Sequence, residues 1–298
     1  MKGPQDKSLP LVTVIIPCHN SEKFIKQTID SALSQTYGNI EVIAVNDGST
    51  DATRQILDSY RERIRVLEHP GGQNKGQWAS ANFAMRHSGG DYVALLDHDD
   101  LWAPAKIERQ VNFLAGRPDI GLVYINGHAI DENGNRLYKL FPLGHGEANR
   151  PEKILLNCYI PSPSNSLVRR AALDKAGEFD EELSCVADHD ILIRLAEVTR
   201  FAFLDENLYF YRRHANQLSQ RSERRMWENG FKVLDKACKR YGYSGNVRRK
   251  RLAVLNYRLG RCVADESGIL RALPYFFKSG FTDPLRAIKI LFGLESKN

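Results

Sequence analysis

Four short apolar runs, at residues 11–16, 40–45, 64–67 and 92–96, are separated by polar loops and stretches of helical periodicity. Runs this short, rich in β-branched and aromatic residues and bounded by turn residues, read as buried strands rather than helix turns. The first, LVTVII, has the composition of a parallel-sheet interior. After it, Phe24, Ile25, Thr28, Ile29, Ala32 and Leu33 form one helical stripe, for which Asn20 or Ser21 is the expected N-cap. Ile56, Leu57 and Tyr60 form a second, expected to be capped by Ser49 or Thr50, and residues 74–87 form a third, closed by Gly89-Gly90. Strand–helix alternation predicts an open α/β sheet, whose ligand lies off the carboxyl ends of the strands near a topological switch point. Asp47 and Asp97 both sit at such ends.

The fourth run ends abruptly in Asp97, Asp99 and Asp100, with His98 among them. Three carboxylates at one strand end raise each other's proton affinity unless a cation sits between them. Mg²⁺ or Mn²⁺ relieves that repulsion, because hard divalent ions favour carboxylate oxygens. A solvated acidic turn is the bland alternative. The apolar strand that delivers the carboxylates favours a metal–diphosphate site instead.

Farther along, Ile107, Val111 and Leu114 mark a short helix and residues 121–125 another strand. Residues 133–168 read as an irregular segment rich in Pro and Gly, and a long loop in a compact domain usually belongs to a site or a lid. A short helix ends at Gly177, a longer one covers 187–198, and short edge strands are expected at 201–204 and 208–211. Residues 222–262 read as helical and basic, and 268–294 as apolar and aromatic with breaks at Pro274, Gly280 and Pro284. The expected organisation is a domain over 1–220 followed by a mainly helical extension over 221–298.

Composition narrows the class. Hydrophobic content of 42% and charged content of 26% are ordinary for a soluble enzyme. No apolar run approaches the ~20 residues that span a bilayer, and residues 1–10 lack the apolar region of a secretory signal. Five scattered cysteines, none spaced as CxxC, give neither a zinc signature nor a disulfide framework, so a cytoplasmic setting is expected. Charge is uneven: residues 212–298 hold 20 Lys+Arg against 7 Asp+Glu, whereas the rest of the chain is net −7. A basic tail on an acidic body suggests an anionic partner for the tail. Leu273, Phe277, Phe281, Leu285, Ile288 and Phe292 recur there at spacings of three or four among Arg271, Lys278, Arg286 and Lys289. That pattern suits peripheral contact with an anionic membrane at its inner face. Packing on the sheet domain and a dimer contact are the other readings.

LVTVIIPCHN, EVIAVNDGSTD, NKGQWASANFAMRHSGGDYVALLDHDD and FDEELSCVADHDILIRLA, in that order across about residues 11–220, resemble the inverting glycosyltransferases of family 2. The resemblance implies the GT-A fold, a Rossmann-like mixed open sheet with helices on both faces, here followed by the basic helical tail. It implies a nucleotide-sugar donor, usually a UDP-sugar, a glycan or lipid-linked glycan acceptor, and Mn²⁺ or Mg²⁺ as cofactor. Pro17, Asn20, Glu22 and Asp47 match positions lining the nucleotide pocket, with Asp47 where the uracil edge is read. A carboxylate can accept the uracil N3–H. Asn74, Lys75 and Gly76 match the segment that approaches the donor. Asp97 and Asp99 match the DxD pair, Asp97 facing the ribose and Asp99 carrying the metal. Asp188 aligns with the general base, and His214 with a histidine that completes the metal site in some relatives. Arg212 and Arg213 are candidates for the diphosphate, Asp190 and Arg194 for positioning the helix. His19, Asn46, Ala187 and His98 depart from the family's common residues at their positions.

Three other readings compete. A non-catalytic nucleotide-sugar-binding protein of the same fold would have no reason to keep Asp97, Asp99 and Asp188 together. A nucleotidyltransferase would need a Gly-rich phosphate loop after the first strand, and PCHNSEKF has no glycine. A nucleic-acid binder would show a recognition motif in the basic tail, and none is present.

Overall fold

The computed structural model describes residues 8–291, apart from 147–148, 216 and 218–222. The alternation resolves into strands β1 (Val12–Cys18), β2 (Ile40–Asn46), β3 (Arg65–Glu68) and β4 (Tyr92–Leu95), with helices α1 (Ile25–Leu33), α2 (Thr53–Asp58) and α3 (Gln77–Arg86) between them. All four strands are parallel, in the order β3-β2-β1-β4. The chain therefore winds outward from β1 to β3 and returns on the other side of β1 as β4. That reversal is a topological switch point, and the loops after β1 and β4 flank it.

The sheet continues through β5 (Leu101–Trp102), β6 (Ile120–Ile130), β7 (Arg136–Lys139), β8 (Ser166–Arg169) and β9 (Arg200–Arg212). β8 runs antiparallel to both β4 and β6, and β9 runs parallel to β6, so the nine-stranded sheet is mixed. α4 (Lys106–Leu114), α6 (Arg170–Ala176) and α7 (Ala187–Val198) complete this part of the chain. Its core is built from apolar, largely β-branched strand residues such as Val14, Ile16, Val42 and Ala94 against Ile25, Ile29 and Leu57 of the helices.

Several local expectations need correction. Neither Asn20 nor Ser21 caps α1 with its side chain; the Ser21 carbonyl instead accepts the N–H groups of Phe24 and Ile25 at 3.1 and 3.0 Å. α2 starts later than Ser49 or Thr50 would dictate, because Asp51 accepts the Thr53 N–H at 2.9 Å and Glu22 accepts that of Ala52 at 2.9 Å. The two expected edge strands are one 13-residue strand, β9, lying inside the sheet. The polar Asp205-Glu206-Asn207 interrupts its pattern at a register shift opposite Ile125–Gly127. Gly127 is required there, since an added Cβ would lie 1.9 Å from the Tyr209 carbonyl oxygen. The segment read as irregular over 133–168 contains β7, a short helix α5 (Pro151–Leu156) and the start of β8.

The chain divides into two compact units, one built on Met1–Asn149 and Tyr159–His214, the other on Arg150–Cys158 and Ala215–Asn298. The second consists of α5 with α8 (Glu223–Arg240), α9 (Gly245–Ser267), α10 (Ile269–Thr282) and α11 (Pro284–Leu291). Ser244 caps α9 by accepting the Val247 N–H. α8 meets α9 closely at Gly230, where a Cβ would lie 2.6 Å from Leu255. Among the described residues, no helix is long and apolar enough to cross a membrane.

Candidate active site

β4 delivers its carboxylates to three different environments. Asp97 is half-buried; its Oδ1 accepts from Gln77 Nε2 at 2.7 Å and its Oδ2 from Ser162 Oγ at 2.8 Å. Its own N–H donates to Ser164 Oγ at 2.9 Å. Burial, and then the charge of Asp99, raise its proton affinity, with the Ser162 hydrogen bond opposing them. At Asp99, Oδ2 accepts from His214 Nε2 at 2.8 Å, and the two side chains are only 13% and 9% exposed. Burial would raise Asp99 too, but the His214 hydrogen bond and the neighbouring imidazoles more than offset it, so its proton affinity is lowered.

Asp100 is fully buried, and it is part of the framework. It accepts the Arg212 N–H at 2.9 Å and is hydrogen-bonded to the Tyr209 hydroxyl. Burial and the Asp99 and Asp97 charges push its proton affinity well above the carboxylate range. Arg212 is a second correction. It is buried, donating Nε to the Asp99 carbonyl at 2.7 Å and Nη2 to Gln27 at 2.9 Å, so it holds the loop and is not offered to a diphosphate. With Tyr209 and the Arg212 N–H on Asp100, and Arg212 Nε and His214 on Asp99, four hydrogen bonds fasten the end of β9 to the segment after β4. Thr28 ties α1 to the same segment, donating to the His98 carbonyl at 2.8 Å.

The ends of β1 and β2 and the start of α3 form one network. Asp47 is 2% exposed, and its two oxygens accept the main-chain N–H groups of Lys75 and Gly76 at 2.7 and 2.8 Å. A carboxylate so placed fixes the 74–76 loop and presents no open edge to a base. The direct uracil contact expected of it is therefore not supported by this geometry. Gly48 belongs to the same turn: its φ is +63°, and a Cβ there would lie 2.6 Å from the Asn74 nitrogen. Asn20, at φ 48°, accepts the Thr50 N–H at 2.8 Å, and Glu22 accepts that of Ala52, so both side chains tie the loop after β1 to the loop after β2. Pro17 is buried within β1 opposite Val45. His19 is exposed, with Nδ1 donating to the Asp47 carbonyl at 2.8 Å and Nε2 3.0 Å from Asn74 Nδ2. The Lys75 side chain is exposed.

Asp188 stands in the first turn of α7, half-buried, with Oδ1 accepting the His189 N–H at 2.8 Å. Burial, reinforced by the charge of Asp97, pushes its carboxyl up to about 6. α7 is held by Arg194, which donates Nε to Asp190 at 2.8 Å and Nη1 to the Ala176 carbonyl. α3 holds the segment before α7: Trp78 stacks on Phe179 with ring centroids 4.8 Å apart, and Asn82 exchanges two 2.9 Å hydrogen bonds with the Phe179 backbone.

Asp97, Asp99 and His214 thus lie at one strand end with the charge of Asp97 reaching Asp188, while Asn20, Glu22, Asp47, Asn74, Lys75 and Gly76 form the adjoining network. Gln77, Ser162 and Ser164 were not singled out in the sequence. The only signal for the serines was the length and proline content of the 133–168 segment; Gln77 had none. Among the described residues no three His, Cys, Asp or Glu side chains converge as a ready metal cage. Asp99 and His214 are the oxygen and nitrogen donors there that could hold Mn²⁺ or Mg²⁺.

A family model described as "Glycosyl transferase family 2" matches residues 13–177. An uncharacterized glycosyltransferase of Rickettsia typhi is 33% identical over 255 residues, 78% of this chain and 75% of its own length. Chondroitin synthase of Escherichia coli is 30% identical over 239 residues, 79% of this chain and 34% of the synthase. Among solved structures, S. aureus TarS 1–349 in complex with UDP-GlcNAc has a TM-score of 0.69 at 20% identity, covering 90% of this chain and 79% of that one. The mannosyltransferase PcManGT from Pyrobaculum calidifontis, in complex with GDP-Man and Mn²⁺, has a TM-score of 0.62 at 19% identity, covering 98% and 90%. These two likenesses bear on the fold.

Proposed function

The chain belongs to glycosyltransferase family 2 and has the GT-A fold, and on that premise we propose that it transfers a sugar from a UDP-sugar to an acceptor hydroxyl with inversion at the anomeric carbon. The observation that carries the proposal is Asp188: a half-buried carboxyl pushed up to about 6, within reach of the Asp97 charge beside the switch point. A base near that value is ionised at neutral pH yet retains useful proton affinity.

In this reading Asp188 takes the proton of the acceptor hydroxyl as its oxygen attacks the anomeric carbon. The new C–O bond forms on the face opposite the diphosphate, the bond to the diphosphate oxygen breaks, and the nucleoside diphosphate departs. One displacement inverts the centre. Asp97, held by Gln77 and Ser162, would hold the ribose. Asp99 and His214 would hold Mn²⁺ or Mg²⁺, which when bound supplies positive charge against the departing diphosphate. The loops joining Asn20, Glu22, Asp47 and Asn74–Gly76 form the wall for the nucleotide, where His19 is the exposed ring available to a base.

TarS with UDP-GlcNAc supports the uridine donor, and the kinship with chondroitin synthase supports a glycan or lipid-linked glycan acceptor in polysaccharide synthesis. PcManGT, bound to GDP-Man, makes a guanosine donor the reading to exclude. Catalysis is assigned to residues 1–220, with 221–298 as an extension. The five free cysteines suit a reducing, cytoplasmic setting, with the enzyme working at the inner face of a membrane. Incubation with UDP- and GDP-sugars, Mn²⁺ and oligosaccharide acceptors tests the function. The expected result is UDP release with a product one sugar heavier and of inverted anomeric configuration. Turnover of GDP-sugars alone, or a product with retained configuration, would overturn it.

A further inference from the structure

The second unit leaves one helical face uncovered by its own helices. α10 packs on α9 through Ala272 and Ser279, both buried, and Ser279 Oγ donates to the Ala253 carbonyl at 2.8 Å. Gly260 lets the Phe276 ring approach so closely that an added Cβ would lie 2.9 Å from it. Elsewhere on the same helix Ile269, Leu270, Leu273, Phe277 and Phe281 are exposed, Leu270 to 79% and Phe281 to 85%. At the helical advance of about 100° per residue they fall within an arc of about 120°. Arg271 and Lys278 are exposed about 60–80° beyond one edge of that arc, and Ile269–Thr282 contains no carboxylate. α11 exposes two further apolar side chains, Leu285 at 75% and Ile288 at 50%.

An apolar stripe this continuous marks an interaction surface. We propose that it docks on an anionic lipid bilayer, with the apolar arc at the acyl boundary and Arg271 and Lys278 among the headgroups. Charge separates this occupant from a second copy of the chain. Residues 212–298 carry 20 cationic against 7 acidic side chains. Two such faces brought together repel, whereas an anionic surface attracts each. The inference deepens the membrane setting proposed above and rests on that reading for nothing else; its test uses neither donor nor acceptor.

The full chain is floated with phosphatidylglycerol-containing vesicles and with phosphatidylcholine vesicles, at low and high salt. UDP-sugar turnover and thermal stability are measured on the same preparations. The chain is expected to float with the anionic vesicles and about tenfold less with neutral vesicles or at high salt. Phe277→Glu/Phe281→Glu, altering two exposed side chains, should float at least about tenfold less while keeping its melting temperature and turnover. Arg271→Gln/Lys278→Gln should show a smaller loss that high salt abolishes. Equal flotation on neutral and anionic vesicles, equal flotation of the Phe variant, or no flotation of the unaltered chain would overturn the proposal. So would a concentration-dependent dimer, seen by light scattering, that the Phe variant abolishes, because a second copy would then cover the face.

Discussion

The ends of β2 and β4 both carry aspartates beside the switch point, yet they use them in opposite ways. At the end of β2, Asp47 is saturated by two main-chain N–H groups and is buried. Its partners cannot leave without unfolding a loop. At the end of β4, Asp97 and Asp99 are held by a glutamine, a serine and a histidine. Side-chain partners of that kind can reorient when a ligand arrives. A carboxylate satisfied by backbone is architecture; one satisfied by movable side chains keeps its chemistry available. Asp100, fully buried with both oxygens occupied by the Arg212 N–H and the Tyr209 hydroxyl, sides with Asp47; Asp188, which among the described residues accepts the His189 N–H through Oδ1, keeps its other oxygen for chemistry.

The largest effect is expected at Asp188. Asp188→Asn should cost about 10²–10⁴ in transfer rate while leaving UDP affinity in calorimetry nearly unchanged. It should also stabilise the fold at neutral pH. The folded carboxyl, at about 6, binds its proton more tightly than the unfolded one, at 3.8. Below about pH 4 both states are protonated and the group contributes nothing. Between about 4 and 6 stability falls as pH rises, and above 6 a fixed penalty of roughly 1–3 kcal/mol remains. The variant should therefore melt higher than the native chain at pH 8 and not at pH 4. A transfer rate equal to the native one would remove Asp188 as the base.

Asp47→Ala comes next, with a stability loss of roughly 1–3 kcal/mol, because two part-buried main-chain N–H groups lose their acceptor. A melting temperature unchanged by this substitution, together with lost UDP binding, would place Asp47 among the ligand-binding carboxylates and break the comparison. Asp99→Ala should do the reverse. It should keep the fold and lose the Mn²⁺-dependent part of UDP affinity, about tenfold or more and more than Asp97→Ala loses. Equal Mn²⁺ dependence in native chain and Asp99→Ala would contradict the assignment. Ser162→Ala should be the smallest, about 1 kcal/mol in KM for the donor, since Gln77 still holds Asp97. A loss as large as that of Asp97→Ala would mean that Ser162 contacts the substrate itself.

The parallel half of the sheet was legible because each strand there is a short apolar run and each helix a stripe of period 3.6. β9 was not, because the polar Asp205-Glu206-Asn207 at its register shift splits one strand into two apparent ones. Asp97, Asp99 and Asp188 were legible as types and spacings. What each carboxylate accepts was not, because Ser162 and His214 arrive from β-strand connections 65 and 115 residues away. Arg212 misled for the same reason. A guanidinium beside a candidate ligand looks available until Asp99 and Gln27 are seen to occupy it.

The most direct test of the account is the pH dependence of kcat/KM for sugar transfer between pH 5 and 8, in the native chain and in Asp188→Asn. The native rate should fall about tenfold per unit below an inflection near 6 and level off above it. The residual rate of the variant should lack that inflection, which distinguishes Asp188 from Asp97, whose affinity is also raised. A native profile flat across the range, or the same inflection in Asp188→Asn, would contradict the assignment of Asp188 as the group that takes the acceptor's proton.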